Sequence, residues 1–359
     1  MDGEGRIRVL VVDDSAFARK VIREVLSREP RVEVVDVARD GLDALEKIQS
    51  LRPDVVTLDL LMPNLDGVGV LRALPQEDRP SILVVSFSDA DTELGAEALS
   101  LGAADIVKKP TALATDRMYE LSGELLAKIR VLAESGTRRT RGVVPAADAS
   151  SGAPALPSPS PEPVFEPRSA DAVQLVAVGT STGGPAALTH LCAALPANLP
   201  VPVLVALHIP AGYTAALAAR LDAASAIRVR EAEEGMPLLP GTVNLAPGGF
   251  HLKVRKDREQ LLAQVDLFPH TAYTPSVDVL FETAAAAVGG KKVLGVVLTG
   301  MGDDGVKGAR VITGQGGSVL TEASHTCVVD GMPRSIREAG LSSAAVGLGE
   351  MGRAIVQRL

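Results

Sequence analysis

Two stretches in which short apolar runs alternate with amphipathic segments, separated by a proline-rich spacer, constrain this chain more than any other feature. Before the spacer, strands are expected at Arg6–Val12, Val32–Ala38, Asp54–Leu58, Ile82–Ser86 and Asp105–Val107. Helices are expected at Ala16–Ser27, Gly41–Gln49, Val68–Leu74, Thr92–Leu101 and Tyr119–Leu132. Apolar strands separated by helices build a parallel sheet covered on both faces, so this part is read as a doubly wound α/β domain. After the spacer, strands are expected at Gln174–Val178, Val203–Leu207, Gly241–Leu245, His251–Val254, Val293–Leu298 and Ser318–Thr321. Helices fall at Pro185–Leu195, Tyr213–Ala224, Val277–Val288 and Val306–Gln315, giving a second α/β domain. Its sheet is expected to be mostly parallel, with an antiparallel insertion near 240–265.

The spacer begins with Arg138, Arg139 and Arg141 and continues through Ala, Ser and repeated Pro from Pro154 to Pro167. Such a segment buries little apolar surface, and its prolines favour extended backbone. The chain therefore divides into residues 1–135, a linker at 136–172 and residues 173–359. At 359 residues it can support two cores.

Charge and cysteine usage narrow the function classes. A net charge of −8 is the wrong sign for a surface that displaces counterions from nucleic acid. Cys192 and Cys327 stand far apart without a metal-ligand spacing, which points to a reducing compartment. The start, MDGEGRIRVL, lacks a signal-peptide pattern, and no long uncharged apolar run marks a membrane span. A cytoplasmic, monomeric protein without nucleic-acid binding or membrane insertion is the expectation.

In an open parallel sheet, ligands bind beyond the carboxyl ends of the strands. The first-domain strands end in Asp13-Asp14, Asp59, Ser86 and Lys109-Pro110. Three carboxylates, a hydroxyl and an ammonium thus gather at one mouth. Clustered carboxylates repel unless a cation joins them, and oxygen-only ligands suit Mg²⁺. A carboxylate beside Mg²⁺ can attack a phosphoryl donor to give an aspartyl-phosphate.

These residues, with the run Asp59-Leu-Leu-Met-Pro-Asn-Leu-Asp-Gly67, resemble the signature of response-regulator receiver domains, which are flavodoxin-like. The resemblance covers about residues 6 to 133. It implies Asp59 as phosphoacceptor, Asp13, Asp14 and Asp59 as the metal-binding set, and Lys109 and Ser86 as phosphate-contacting and switch residues. A histidine kinase is the implied phosphodonor. Ile106 departs from the pattern, standing where many receivers carry an aromatic residue.

In the second domain, Gly179-Thr-Ser181-Thr-Gly183 joins a strand to a helix and fits the G-x-S-x-G turn that lifts a serine into the open. A phosphate-cradling loop and a turn that merely needs small residues are the competing readings. His208 ends the strand Val203–Leu207, where a neutral imidazole can take a serine proton. Asp303 and Asp304 follow a third strand, in a glycine turn whose N–H groups can stabilise an oxyanion. The same turn, Gly300-Met-Gly302-Asp-Asp-Gly305, also satisfies a dinucleotide fingerprint, with Glu322 about 20 residues on. Two aspartates beside a pyrophosphate make that reading unfavourable.

With the receiver upstream, this set resembles the catalytic domain of chemotaxis protein-glutamate methylesterases of the CheB type. The matching runs are Gly179–Pro185, His208–Thr214, Pro247–His251, Pro275–Phe281 and Leu298–Gly305. The resemblance implies Ser181 as nucleophile, His208 as base, Asp304 as its orienting carboxylate and the Met301 amide as oxyanion donor. It implies methyl-accepting chemotaxis receptors as substrate, glutamine deamidation as a companion activity, no cofactor for the ester chemistry and a receiver covering the cleft until phosphorylated. Tyr273-Thr274 stands where basic or imidazole residues are expected. Two alternatives remain: an esterase-like regulator of a non-chemotaxis target, and a transcriptional regulator, for which no Arg/Lys-rich recognition helix is present.

Overall fold

In a computed structural model, the described residues are 6–75, 79–86, 92–109, 123–134 and 172–359. The linker up to residue 171, Pro110, and the start of the helix expected at Tyr119–Leu132 lie outside them.

The first sheet contains β1 (Ile7–Val12), β2 (Val32–Ala38), β3 (Val55–Leu58), β4 (Ser81–Ser86) and β5 (Asp105–Lys108), in the parallel order β2-β1-β3-β4-β5. Helices α1 (Ala16–Leu26), α2 (Gly41–Leu51), α3 (Gly67–Ala73), α4 (Thr92–Ser100) and α5 (123–134) cover it. The local sequence starts these helices where expected. Ser15, Asp40 and Asp66 each cap a helix by accepting from an N–H three residues on, satisfying a donor without an intrahelical partner. Register then places the chemistry: Val12 pairs with Leu58, setting Asp13 next to Asp59 just past the sheet.

The second sheet has seven strands, all parallel, in the order β14-β13-β12-β6-β7-β9-β8. They are β6 (Leu175–Thr180), β7 (Val203–Leu207), β8 (Arg228–Glu231), β9 (Thr242–Leu245), β12 (Val293–Val297), β13 (Ser318–Glu322) and β14 (Ala344–Val346). The antiparallel insertion is a separate hairpin, β10 (His251–Asp257) with β11 (Gln260–Asp266). It begins later than expected, because Thr242–Leu245 is fully buried and pairs in parallel with β7 and β8. Helices α6 (Gly184–Ala194), α7 (Thr214–Ala224), α8 (Val277–Val288), α9 (Val306–Gly314), α10 (Met332–Glu338) and α11 (Leu348–Val356) complete the layers. Chain direction across the sheet changes between β6 and β12, so the crevice at that switch point is where ligands bind in such folds.

The two halves share a packed boundary. Tyr213, fully buried, lies against α4, where Gly95 permits the approach: a Cβ there would come within 2.3 Å of the ring. Any side chain at 95 would therefore force the helices apart. Glu97 of α4 accepts from Arg220 of α7 at 2.8 Å. The Gly183 N–H donates to the Ala104 carbonyl at 2.8 Å, and the Thr182 hydroxyl donates to Asp105 at 2.5 Å. Asp105 is held from its own side by Lys128 of α5 at 3.0 Å. Among the described residues, no helix is long and apolar enough to cross a membrane.

Candidate active site

The pocket of the first sheet is built from strand ends, as the sequence implies. Lys109 follows β5 and reaches Asp13 at 2.5 Å and Asp59 at 3.0 Å, with all three side chains buried. Burial pushes the Asp59 carboxyl up to about 6; Lys109 pulls it down and the charge of Asp13 adds to the rise. Ser86 is fully buried at the end of β4. Ligand oxygens of Asp13, Asp14 and Asp59 lie within 4.8 Å of one another, with Asp14 open to solvent. An oxygen-only set with a solvent-facing side fits a small hard cation that keeps part of its water shell.

At the second sheet, pairing of Thr180 with Leu207 sets Ser181 next to His208 in register. The Ser181 N–H donates to the Thr299 carbonyl and the His208 N–H to the Thr180 carbonyl, pinning both strand exits. Gly183 adopts φ +81° and opens α6, so the serine stands on a tight turn. Gly300 closes on it from β12. A Cβ at that position would lie 2.8 Å from the Ser181 Cβ, so only glycine fits. Met301, the expected oxyanion donor, follows immediately and is half-buried.

His208 Nε2 donates to Asp304 Oδ2 at 2.8 Å. With that proton on Nε2, the lone pair sits on Nδ1, which is buried and has no hydrogen-bond partner among the described residues. The nitrogen roles are thus the reverse of those in chymotrypsin-type triads, where Nδ1 faces the carboxylate. Of the two candidate aspartates, Asp303 is exposed and Asp304 is buried.

Asp304 is saturated with donors. Besides His208 it accepts from Val277 N (2.7 Å), Asp278 N (3.0 Å) and the Ser276 hydroxyl (3.0 Å), all at the start of α8. Burial alone would raise its carboxyl. The bond to His208 and these N–H groups outweigh burial and hold it below the usual carboxylate range. Asp278 returns the arrangement, accepting from Gly305 N (3.0 Å) and Gly308 N (2.8 Å) at the start of α9. An aspartate of α8 thereby caps α9, and an aspartate in the turn leading into α9 caps α8.

Three contributors had no role assigned by the sequence. His251 is buried, donates from Nε2 to the Pro269 carbonyl at 2.9 Å and accepts the Ser276 N–H on Nδ1 at 3.1 Å. Burial keeps it low and neutral. It therefore supports α8 rather than the chemistry. Asp278 had a partial signal, a carboxylate in the first turn after a Ser cap. Tyr273 lies parallel on the His208 ring, centroids 4.4 Å apart and planes at 3°. Glu322 settles the dinucleotide reading: it is buried and accepts from Thr299 N and the Thr326 hydroxyl, both at 2.9 Å, so it faces no ligand.

A phosphoacceptor-type pocket and a serine-bearing switch-point crevice in one chain define a response regulator with an enzymatic output domain. Comparison with known proteins agrees. A family model described as CheB methylesterase matches residues 176–355, and one described as a response regulator receiver domain matches residues 9–118. The chain is 55% identical to protein-glutamate methylesterase/protein-glutamine glutaminase 5 of Myxococcus xanthus, over 95% of each chain. It is 40% identical to the protein-glutamate methylesterase/protein-glutamine glutaminase of Desulfitobacterium hafniense, over 98% of this chain and 97% of that one. The crystal structure of the Thermotoga maritima CheB methylesterase catalytic domain matches with a TM-score of 0.51 and 37% identity, covering 52% of this chain and all of that one. The chain belongs to the CheB methylesterase family and carries a receiver domain ahead of the methylesterase domain.

Proposed function

We propose that this protein is a phosphorylation-controlled hydrolase that removes methyl groups from glutamate γ-methyl esters on chemotaxis receptors and deamidates receptor glutamines by the same route. The observation that carries the reading is His208, anchored to Asp304 through Nε2, with no partner for Nδ1 among the described residues, in register with Ser181. In this reading Nδ1 takes the Ser181 proton as Oγ attacks the ester carbonyl. The carbonyl oxygen becomes an oxyanion, held by the Met301 N–H. Collapse breaks the acyl–oxygen bond, and the proton on Nδ1 passes to the departing methoxide, releasing methanol. A water molecule, deprotonated by the same nitrogen, then attacks the acyl-enzyme; the proton passes to the departing Ser181 Oγ, freeing glutamate and restoring the serine. Asp304 stays ionised throughout and stabilises the imidazolium. Glutamine follows the same path with ammonia leaving.

Residues 1–135 act as the regulatory unit, 136–172 as the linker and 173–359 as the catalytic unit. Asp13, Asp14 and Asp59 would hold Mg²⁺, which would offset charge on the incoming phosphoryl group. Asp59 accepts that group from a histidine kinase; Lys109 and Ser86 contact it. The ester chemistry uses no cofactor. Control follows from the docked boundary: Thr182 and Gly183, next to the nucleophile, are bonded to Asp105 and Ala104 of the receiver. A rearrangement at Lys109, passed along β5 to Asp105 at its start, loosens this contact and raises the open population. We place the protein in the cytoplasm as a monomer. The relatives named above favour chemoreceptors over an unrelated target.

The decisive test is methanol release from isolated methylated receptors, with and without a small phosphodonor and Mg²⁺. Release stimulated by the donor is expected, and removal of residues 1–140 should raise the unstimulated rate. No release under either condition would exclude the methylesterase reading.

A further inference from the structure

His208 is secured by hydrogen bonding at one nitrogen only, Nε2 to Asp304. An imidazole pinned at a single corner can still tilt about that bond. Its other nitrogen, Nδ1, has no partner among the described residues to stop it. The missing restraint comes from a flat surface. Tyr273 lies parallel to the imidazole at 3°, with centroids 4.4 Å apart, which is stacking distance.

Tyr273 is itself bounded at its phenol tip. Gly302, at φ +92°, leaves space for the phenol oxygen: a Cβ there would come within 2.8 Å of it. The Thr271 hydroxyl bonds the Tyr273 carbonyl at 2.5 Å and fixes the backbone. The ring therefore lays its face on the base while its phenol tip abuts the glycine turn that follows β12. Burial, then the charges of Asp303 and Asp304, push its phenol upward, so it remains neutral and takes no proton.

We infer that Tyr273 is a positioning residue, whose aromatic face fixes the plane of His208 so that Nδ1 faces Ser181. The inference rests on the triad reading above. It assigns to this chain a device built on an aromatic residue where basic or imidazole residues were expected. The role falls to the ring face, because the face and not the hydroxyl meets the imidazole. An untethered ring spends less of its time in the attacking orientation, so the loss falls on turnover rather than on substrate binding.

The test is methanol release from methylated receptors by the full-length protein with phosphodonor, resolved into kcat and KM. Tyr273→Phe should stay within about twofold of the parent in both. Tyr273→Leu and Tyr273→Met, which fill space without a rigid face, should each lose about tenfold in kcat with KM within about twofold. Reading the two together guards against one failing to fold, and a preserved cooperative melt confirms that either is intact. Unchanged kcat in the folded aliphatic variants overturns the inference, as does an effect confined to KM. A Phe variant as impaired as the Leu variant overturns it too, because the hydroxyl would then be responsible. Failure of the triad itself shows separately, as continued turnover by Ser181→Ala.

Discussion

Asp59 and Asp304 invite comparison: both are buried aspartates just past the carboxyl end of a parallel strand, yet their acidities move in opposite directions. Asp59 sits beside Asp13, with Lys109 as counter-charge and one backbone donor from Leu60, and is pushed up to about 6. Asp304 sits at the start of α8 with an imidazole, two N–H groups and a hydroxyl, and lies below the usual range. Burial is the largest single influence in both and cannot explain the difference. The difference lies in what is brought to the site. A carboxylate ringed by fixed donors is finished as an anion and serves to hold something else. One crowded by its own kind remains short of positive charge, which suits a residue that must receive a metal-bound phosphoryl group.

The comparison can be broken most forcefully at the group Asp304 serves. Ser181→Ala should lower methanol release by about 10⁶-fold, to the background, while leaving phosphorylation of Asp59 intact. Retained turnover would remove Ser181, and with it the purpose of the His208–Asp304 pair.

Asp304→Asn comes next. One carbonyl oxygen replaces two carboxylate oxygens that serve four donors, so kcat should fall about 10⁴-fold and stability by about 1–3 kcal/mol. Because the native carboxyl is depressed, its contribution is fully present above the unfolded pKa of about 4 and is lost as pH falls through the lower native value. The stability gap between parent and variant, followed by denaturant unfolding, should accordingly be widest at neutral pH and shrink in acid. A gap that widened in acid would mean that the carboxylate is not stabilised as drawn.

Asp59→Asn should do the opposite. A carboxyl raised in the folded state favours the protonated form, so its ionisation costs stability as pH rises from about 4 to about 6, and that cost persists above. In EDTA at pH 8 the variant should therefore be about 2–3 kcal/mol more stable than the parent, with no advantage below pH 4. Its response to phosphodonor should vanish. Equal stabilities at pH 8 would place the two aspartates in the same class.

Smaller effects are expected where the two halves meet. Thr182→Val removes the hydroxyl that reaches Asp105, and the ratio of stimulated to basal rate should fall about fivefold, as for the loss of roughly 1 kcal/mol. Arg220→Ala, which breaks an exposed pair with Glu97, should change that ratio by less than about twofold, and less still in high salt. A reversed ranking would put control in the α4–α7 pair rather than at the nucleophile turn.

Much of this was readable in the chain. The apolar strands and their flanking turn residues predict almost every element of both sheets to within a few residues, because parallel strands buried on both faces leave a plain pattern. Arg228–Glu231 was missed because three of its four residues are charged, and Ala344–Val346 because it has only three residues and lies at the sheet edge. The site residues at strand ends were legible because position and chemistry coincide there. Asp303 and Asp304 are neighbours of the same type, and only the direction of the turn distinguishes them. The Tyr273 stack and the Thr182–Asp105 bond depend on three-dimensional packing across 65 and 77 residues of sequence, where no local pattern can announce them.

The crossed caps of α8 and α9 give the site a thermal character. The amides of Val277, Asp278, Gly305 and Gly308 are each sequestered by a carboxylate from the opposite helix or the turn leading into it, so none can open alone. In hydrogen exchange these four should protect as a single cooperative unit. The support of the base has no soft mode of its own: on warming, it should hold its geometry until the helix pair separates, and then lose it in one step.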